Sequence, residues 1–259
     1  MATKVDVKPT VVKTILVSQP QPSQRSPYFD LEEKYGIKVD FRPFIHVEGI
    51  SSKEFRKQRI RIEDFTSIVL TSKTSVDHFF RMCEEIRYKM PQDTKYFCTS
   101  EAIALYLQKF IVYRKRKVFF GQRSLADLAP YLSKHKKKEN FLIPCSEVGK
   151  ADFEDYMAKN EFKFSIGHMY KTVSSDLSDL SDIVYDMLVF FSPLSIKSLY
   201  ENFPTFMQNQ TRFAVYGSKT VHAVEEKGLD INIKAPNEVT TSMTTAIGHY
   251  LKISNERVS

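Results

Sequence analysis

The feature that most constrains the fold is a unit that recurs along the chain: a short apolar run rich in β-branched or aromatic residues, a turn, then a segment with helical spacing. The runs occupy residues 14–17, 67–70, 95–98, 117–120, 141–144, 187–191 and 213–216. Strands alternating with helices in this way form α/β proteins with parallel sheets. Residues 75–86 illustrate the helical part, because Val76, Phe79, Phe80, Cys83 and Ile86 recur at spacings of three and four and place one apolar stripe opposite polar residues. Such a stripe is core packing rather than a cofactor box. With 259 residues, 42% of them hydrophobic and 13% aromatic, the chain has enough apolar surface for two cores, since domains usually run to about 100–150 residues.

The turns after the runs read Ser18-Gln19, Thr71-Ser72, Thr99-Ser100, Gly121-Gln122, Cys145-Ser146, Ser192-Pro193 and Gly217-Ser218. In a parallel sheet these turns share the carboxyl edge of the strands, where helix N-termini present unpaired N–H groups and a partial positive charge. Ser and Thr are good N-caps on their own account. Their repetition along both halves of the chain points further, to an edge that receives carboxylates or phosphates.

Two extended stretches mark crossings between domains. Residues 37–48, IKVDFRPFIHVE, contain Pro43, and residues 162–173, FKFSIGHMYKTV, precede the polar spacer SSDLSDLSD. Pairing of the two predicts a discontinuous domain of residues 13–40 plus 174–252 and an inserted domain of 49–166. Hinge strands at 41–48 and 167–173 would join them, with flexible ends at 1–12 and 253–259 and a cleft between the domains.

Several chemistries lose their support. Cys83, Cys98 and Cys145 are odd in number, widely spaced and without a CxxC pair, which predicts buried reduced thiols rather than disulfides or a metal site. The six histidines show no i, i+4 pair. Phosphate-loop, dinucleotide and GxSxG signatures are absent. No window approaches 18 consecutive apolar residues, and residues 1–13 lack the apolar stretch of an export signal, so a cytoplasmic protein is expected. The net charge is +7, and residues 111–138 hold nine Lys or Arg against the single acid Asp127. The segment EFRKQRIRIED is a second basic patch. Neither patch accompanies an RNP-type motif, a helix-turn-helix or a zinc finger, so no nucleic-acid partner is expected and a basic nucleic-acid-binding protein is only the lesser alternative, whereas a polyanionic small substrate would feel the same field.

The order of segments resembles the uroporphyrinogen-III synthase family (HemD-like) over residues 14–252. The carrying segments are IVLTSKTSVDHFF, YFCTSEAIALYL, FLIPCSEVGKADF, GHMYKTV, MLVFFSPLSIKSL, FAVYGSKTVHAVEEKGL and the closing APNEVTTSMTTAI. GHMYKTV matches the family's V-Y-x-T, MLVFFSP its FFSP strand and turn, and YGSKT its IGxxT. The resemblance implies two Rossmann-like or flavodoxin-like parallel-sheet domains joined by a two-stranded β connection. It implies a cofactor-free lyase, without a metal, that cyclises hydroxymethylbilane to uroporphyrinogen III with inversion of ring D and loss of water. It further implies a monomer that contacts hydroxymethylbilane synthase only transiently. By position, Tyr170 matches the tyrosine that assists departure of the substrate hydroxyl. Ser192, Gly217, Ser218 and Thr220 match turns that hold substrate carboxylate, and Ser72, Thr99, Ser100 and Ser146 occupy the corresponding turns of the inserted domain. The chain departs from the family where Thr99 takes a glycine position and Ala102 a threonine position. Those departures favour the alternative of a non-catalytic tetrapyrrole- or polyanion-binding relative.

Overall fold

A computed structural model describes residues 11–122, 125–147, 151–180 and 184–256. In chain order the elements are β1 (Thr14–Val17), α1 (Pro27–Tyr35), β2 (Lys38–Phe41), β3 (Ile45–Gly49), α2 (Ser52–Arg56), β4 (Ser67–Leu70), α3 (Lys73–Glu85), β5 (Lys95–Cys98), α4 (Glu101–Tyr106) and β6 (Val118–Phe120). They continue with α5 (Leu125–His135), β7 (Phe141–Ser146), α6 (Ala151–Lys159), β8 (Phe164–Ser174), β9 (Met187–Phe190), α7 (Pro193–Asn202), β10 (Arg212–Tyr216), α8 (Ser218–Glu225), β11 (Ile233–Ala235) and α9 (Met243–Glu256). The chain forms two compact units. One contains the described residues up to His46 and those from Val173 onward, the other Val47–Thr172.

Unit 1 is built on a sheet of order β11-β10-β9-β1-β2 whose described pairs are all parallel. Successive residues of a strand point to opposite faces, and here both faces are covered. Ile15, Val17, Met187, Val189 and Ala214 pack in a cluster with Leu31 of α1 and Ile247 and Leu251 of α9. Leu16, Leu188, Phe190, Phe213 and Val215 pack on the other side with Ile196 and Leu199 of α7 and Val224 of α8. Burial on both faces is why these strands read as unbroken apolar runs. Helix α1 starts where Ser26 accepts the Tyr28 N–H and Pro27 fixes the first turn, and it stops at Gly36 in the left-handed region.

Unit 2 follows the same plan with the order β3-β8-β7-β4-β5-β6, in which β4 to β8 pair in parallel. Ile68, Leu70, Tyr96 and Cys98 bury against α3 and α4, and Val69, Phe97, Phe141 and Ile143 against Leu128 and Leu132 of α5 and Phe153 and Met157 of α6. Helix α3 opens with a reciprocal cap in which Ser72 Oγ accepts the Ser75 N–H and Ser75 Oγ accepts the Ser72 N–H. All three cysteines are buried and free, and burial pushes the Cys83 and Cys98 thiols up to about 12.

The chain passes between the units within β3 and within β8. The Ile50 N–H donates to Met169 O and the Ser175 N–H to Phe44 O, which runs these two stretches antiparallel. The extended stretch expected over 37–48 is in fact two strands. Phe41 ends β2 in the first sheet, and the break falls at Pro43, which has no N–H to continue a ladder. Ser146, expected in a turn, is the last residue of β7, beside a bulge at Cys145/Ser146. Of the ends expected to be flexible, residues 1–10 and 257–259 lie outside the described residues, as does Arg123 of the basic run. Val12 is buried in the core, and residues 253–256 close α9.

Candidate active site

In both units the chain begins the parallel sheet near its middle and then turns back, so strand order reverses beside β1 in one and β4 in the other. Ligands of open α/β sheets bind outside the carboxyl ends of the strands at such reversals. Thr71 follows β4, and Ser18 occupies the matching place after β1. Both are buried, at 8% and 6% exposure, and neither Thr71 Oγ1 nor Ser18 Oγ makes a hydrogen bond among the described residues. A buried hydroxyl left unpaired costs about 1–3 kcal/mol, and two at equivalent positions mark the edge where a polar ligand would pair them.

The carboxyl edge of unit 2 brings Ser72, Thr99, Ser100, Ser146 and Tyr170 to the ends of β4, β5, β7 and β8. Thr99 Oγ1 donates to Thr71 O at 3.3 Å, and the Thr99 N–H to Leu70 O. Ser72 is tied into the α3 cap, yet its hydroxyl still hydrogen-bonds Tyr170. Ser100 begins α4 without a side-chain cap, which leaves its hydroxyl for other partners. Ser146 contributes its carbonyl to the fold, accepting from His168 Nδ1 at 2.9 Å. His168 is in turn held through its backbone by Gln58, whose amide both donates to His168 O and accepts from its N–H.

Tyr170 is 9% exposed. Burial pushes its phenol above the ordinary value, against the Ser72 hydrogen bond, which works the other way. The imidazole of His78 on α3 stacks on its ring, with centroids 4.9 Å apart and planes at 24°. Arg81 Nε donates to His78 Nδ1 at 3.2 Å, so the ring proton sits on Nε2. Burial first, and the Arg81 charge second, hold the His78 pKa below its usual value, while Asp77 opposes them. Arg81 also donates to Ile50 O at 2.9 Å and Met169 O at 3.0 Å and pairs with Glu85. Gly49 leaves room for that guanidinium, since a Cβ there would come within 2.6 Å of it.

In unit 1, Ser192 follows β9, and Gly217 and Ser218 follow the neighbouring β10. Ser192 Oγ accepts the Leu194 N–H at 3.2 Å and caps α7. Gly217 has φ +83°, a conformation that L side chains rarely adopt, and donates its N–H to Ala235 O at 2.7 Å. Ser218 is exposed and opens α8, whereas Thr220 is buried as the third residue of that helix, two past the turn. Thr71 and Ser18 stand in turns that the sequence marks, but only burial shows their hydroxyls unpaired. His78 carries no sequence signal, because it lies 92 positions from the ring it stacks on. Among the described residues no group of three His, Cys, Asp or Glu could hold a metal ion, and no helix is long and apolar enough to cross a membrane.

Two mostly parallel α/β sheets in one chain, each reversing its strand order beside a buried unpaired hydroxyl, define a two-unit doubly wound α/β protein. The structure of uroporphyrinogen-III synthetase from Helicobacter pylori 26695 has this fold. It is 14% identical, the match covers 93% of this chain and 99% of that one, and the TM-score is 0.54. A mutant uroporphyrinogen III synthase from the extremely thermophilic bacterium Thermus thermophilus matches at 13% identity over 95% and 99% of the two chains, with a TM-score of 0.46. No curated protein matches the sequence. The family model for uroporphyrinogen-III synthase HemD matches residues 28–245, and the chain belongs to that family.

Proposed function

We propose that the chain is a uroporphyrinogen-III synthase that closes hydroxymethylbilane to uroporphyrinogen III, a step of tetrapyrrole biosynthesis. The observation that carries the mechanism is the Tyr170 phenol, buried at the carboxyl edge of unit 2 beside Ser72 and stacked on His78. Its raised pKa keeps it protonated through the neutral range, so Oη can donate to the departing hydroxyl of the substrate. The C–O bond breaks, water leaves, and the electron-poor methylene is attacked by the substituted α-carbon of the last pyrrole to give a spiro intermediate. The bond from that carbon to its original methylene then breaks, that methylene re-bonds at the free α-carbon of the same pyrrole, and the proton lost there returns to the Tyr170 phenolate.

The substrate also loses that hydroxyl unaided and closes to isomer I, so the protein's task is positioning as much as acid catalysis. Thr71, Ser100 and Ser18 hydroxyls, with the N–H groups around Ser192, Gly217 and Ser218, suit the substrate's carboxylates. Thr99 and Thr220 hold the turns in shape: Thr99 bridges to Thr71, and the Thr220 N–H donates to Gly217 O. His78 is a positioning residue that fixes the Tyr170 ring. We infer a cytoplasmic monomer in transient contact with hydroxymethylbilane synthase, a state that light scattering and cross-linking of the two proteins would test.

The decisive measurement is the isomer ratio formed from fresh hydroxymethylbilane, after oxidation and chromatography. Predominant isomer III supports the proposed reaction. Isomer I at the level without protein would refute it and leave the non-catalytic tetrapyrrole-binding relative, which the Thr99 and Ala102 departures favour.

A further inference from the structure

Unit 2 has a second concave surface at the opposite edge of its sheet. A cavity of 920 Å³ opens where α3 ends and where the chain enters β5 and β6, with Thr94 and Lys117 just before those strands on its wall. Tyr170, Ser72 and Thr99 stand at the other ends of the strands, so this cavity is separate from the candidate active site.

Its floor is aromatic. Phe110 is 40% exposed, and one face of its ring stacks on Phe80 with centroids 4.6 Å apart and planes at 7°. Tyr88 and Met90 add to the same wall. Tyr96 is only 3% exposed and lines the cavity, yet its hydroxyl makes no hydrogen bond among the described residues. The Tyr96 hydroxyl, unpaired among these residues, is a donor open to a ligand in the cavity.

The rim is cationic, with six Lys or Arg against the two carboxylates of Asp77 and Glu84. Asp77 already accepts from the Tyr106 hydroxyl at 2.8 Å. Lys117 pairs with Asp93, Arg114 donates to Gln92, and Arg81 is engaged as described above. That leaves Arg87, Lys89 and Lys109, none of which makes an ion pair among the described residues; Lys109 Nζ instead lies 4.3 Å from the Tyr106 ring centroid. Arg87 is held at φ +59°, a left-handed conformation uncommon for a residue with a side chain. Part of the basic run in residues 111–138 thus has a place in the fold, as one wall of this cavity.

We infer that this cavity is a second binding site of unit 2, for a flat aromatic ligand that carries two or more anionic groups at its edge. The ring lies on Phe110, the anionic groups meet Arg87, Lys89 and Lys109, and the Tyr96 hydroxyl donates to one of them. A porphyrin polycarboxylate and a nucleoside triphosphate share that chemistry, and the two probes separate the sources. The inference stands apart from the proposed reaction, since none of these residues belongs to the Tyr170 edge.

The test is isothermal titration of the full chain with uroporphyrin I and, separately, with adenosine triphosphate. One of the two binds with a dissociation constant below about 100 μM, and Phe110→Ala or the exposed pair Arg87→Ser/Lys89→Ser each raises it about tenfold or more. Higher salt weakens the binding, and Tyr170→Phe leaves it unchanged. Circular dichroism confirms that each variant is folded; the Arg87/Lys89 variant changes only exposed side chains and stays informative if Phe110→Ala does not fold. Binding of neither probe below about 1 mM overturns the inference. So does binding that survives the Arg87/Lys89 variant or is lost in Tyr170→Phe, which would move the ligand to the other edge.

Discussion

Tyr170→Phe separates catalysis from folding because it deletes one hydroxyl and nothing else. The new ring has nearly the same volume, stays buried on β8 and keeps its place against His78, 4.9 Å away. The fold loses the Tyr170–Ser72 hydrogen bond, an interaction worth about 0.5–1.5 kcal/mol net. For a chain of this size that lowers Tm by about 2–4 °C per kcal/mol. The reaction loses its proton donor, and a positioned general acid contributes about 10²–10⁴ in rate. At 1.36 kcal/mol per tenfold, that is about 2.7–5.4 kcal/mol of barrier, several times the folding loss. Hydroxymethylbilane generated in situ is sampled over time, oxidised, and resolved into isomers I and III, while melting is followed by circular dichroism. The expected result is a drop in isomer III formation of about a hundredfold or more with only a small change in Tm. Isomer III formation within a factor of about three of the parent would remove Tyr170 from the chemistry; a melting loss that matches the rate loss would make the phenol structural.

His78 is held below its usual pKa, so as pH falls below about 6.5 the unfolded chain takes up a proton that folded His78 resists, and stability declines. His78→Gln should flatten the Tm-against-pH curve in that window while lowering isomer III formation; an unchanged slope argues against the assignment. Glu139 sits at 7% exposure, and although burial works to raise its pKa, hydrogen bonds from Lys95, Thr66 and Ser67 outweigh this and lower it. Its stabilisation is therefore full above about pH 4.3 and is lost as pH falls through the lowered folded value. Glu139→Gln should cost about 2–3 kcal/mol in urea at neutral pH, near the low end for a buried pair because Lys95 is partly exposed; a loss under about 0.5 kcal/mol contradicts this. Gly49→Ala drives a methyl into the Arg81 guanidinium and should break the same bonds to Ile50 O and Met169 O that Arg81→Ala removes, at about 1–3 kcal/mol. The double variant should then cost little more than Arg81→Ala alone, whereas additive losses would show that the two sites are independent.

Most of the parallel strands were legible from composition along the chain. The runs at 14–17, 67–70 and 95–98 coincide with β1, β4 and β5, and those at 117–120, 141–144, 187–191 and 213–216 differ from β6, β7, β9 and β10 by a residue or two. They stand out because burial on both faces demands an unbroken apolar stretch. Strand β11, three residues at a sheet edge with an exposed Lys234, has no such demand on it and no such signal. The site divides along similar lines. Ser72, Ser100, Gly217 and Tyr170 lie in local motifs, since turn and cap chemistry is written in neighbouring residues. The hydroxyls that cap and those that stay unpaired look alike in sequence: Ser192 caps α7, while Ser18 and Thr71 are buried without a partner. His78 and Arg81 act through contacts with Tyr170, Ile50 and Met169, and only the packing of α3 on β8 brings these together.

The pairing of β1 with β9 sets a schedule for synthesis. Ile15 pairs with Met187, and all of Val47–Thr172 lies between the two strands. At about 5–20 residues per second, β1 leaves the ribosome roughly 10–30 s before its central partner exists. During that interval unit 2 is being synthesised, while the edge of β1 that will receive β9 stays open, an apolar template for wrong pairing. Strand β1 is thus sheltered only after unit 2 has been made, and a released chain ending near residue 172 would show a protease-resistant second unit beside a chaperone-accessible amino-terminal segment.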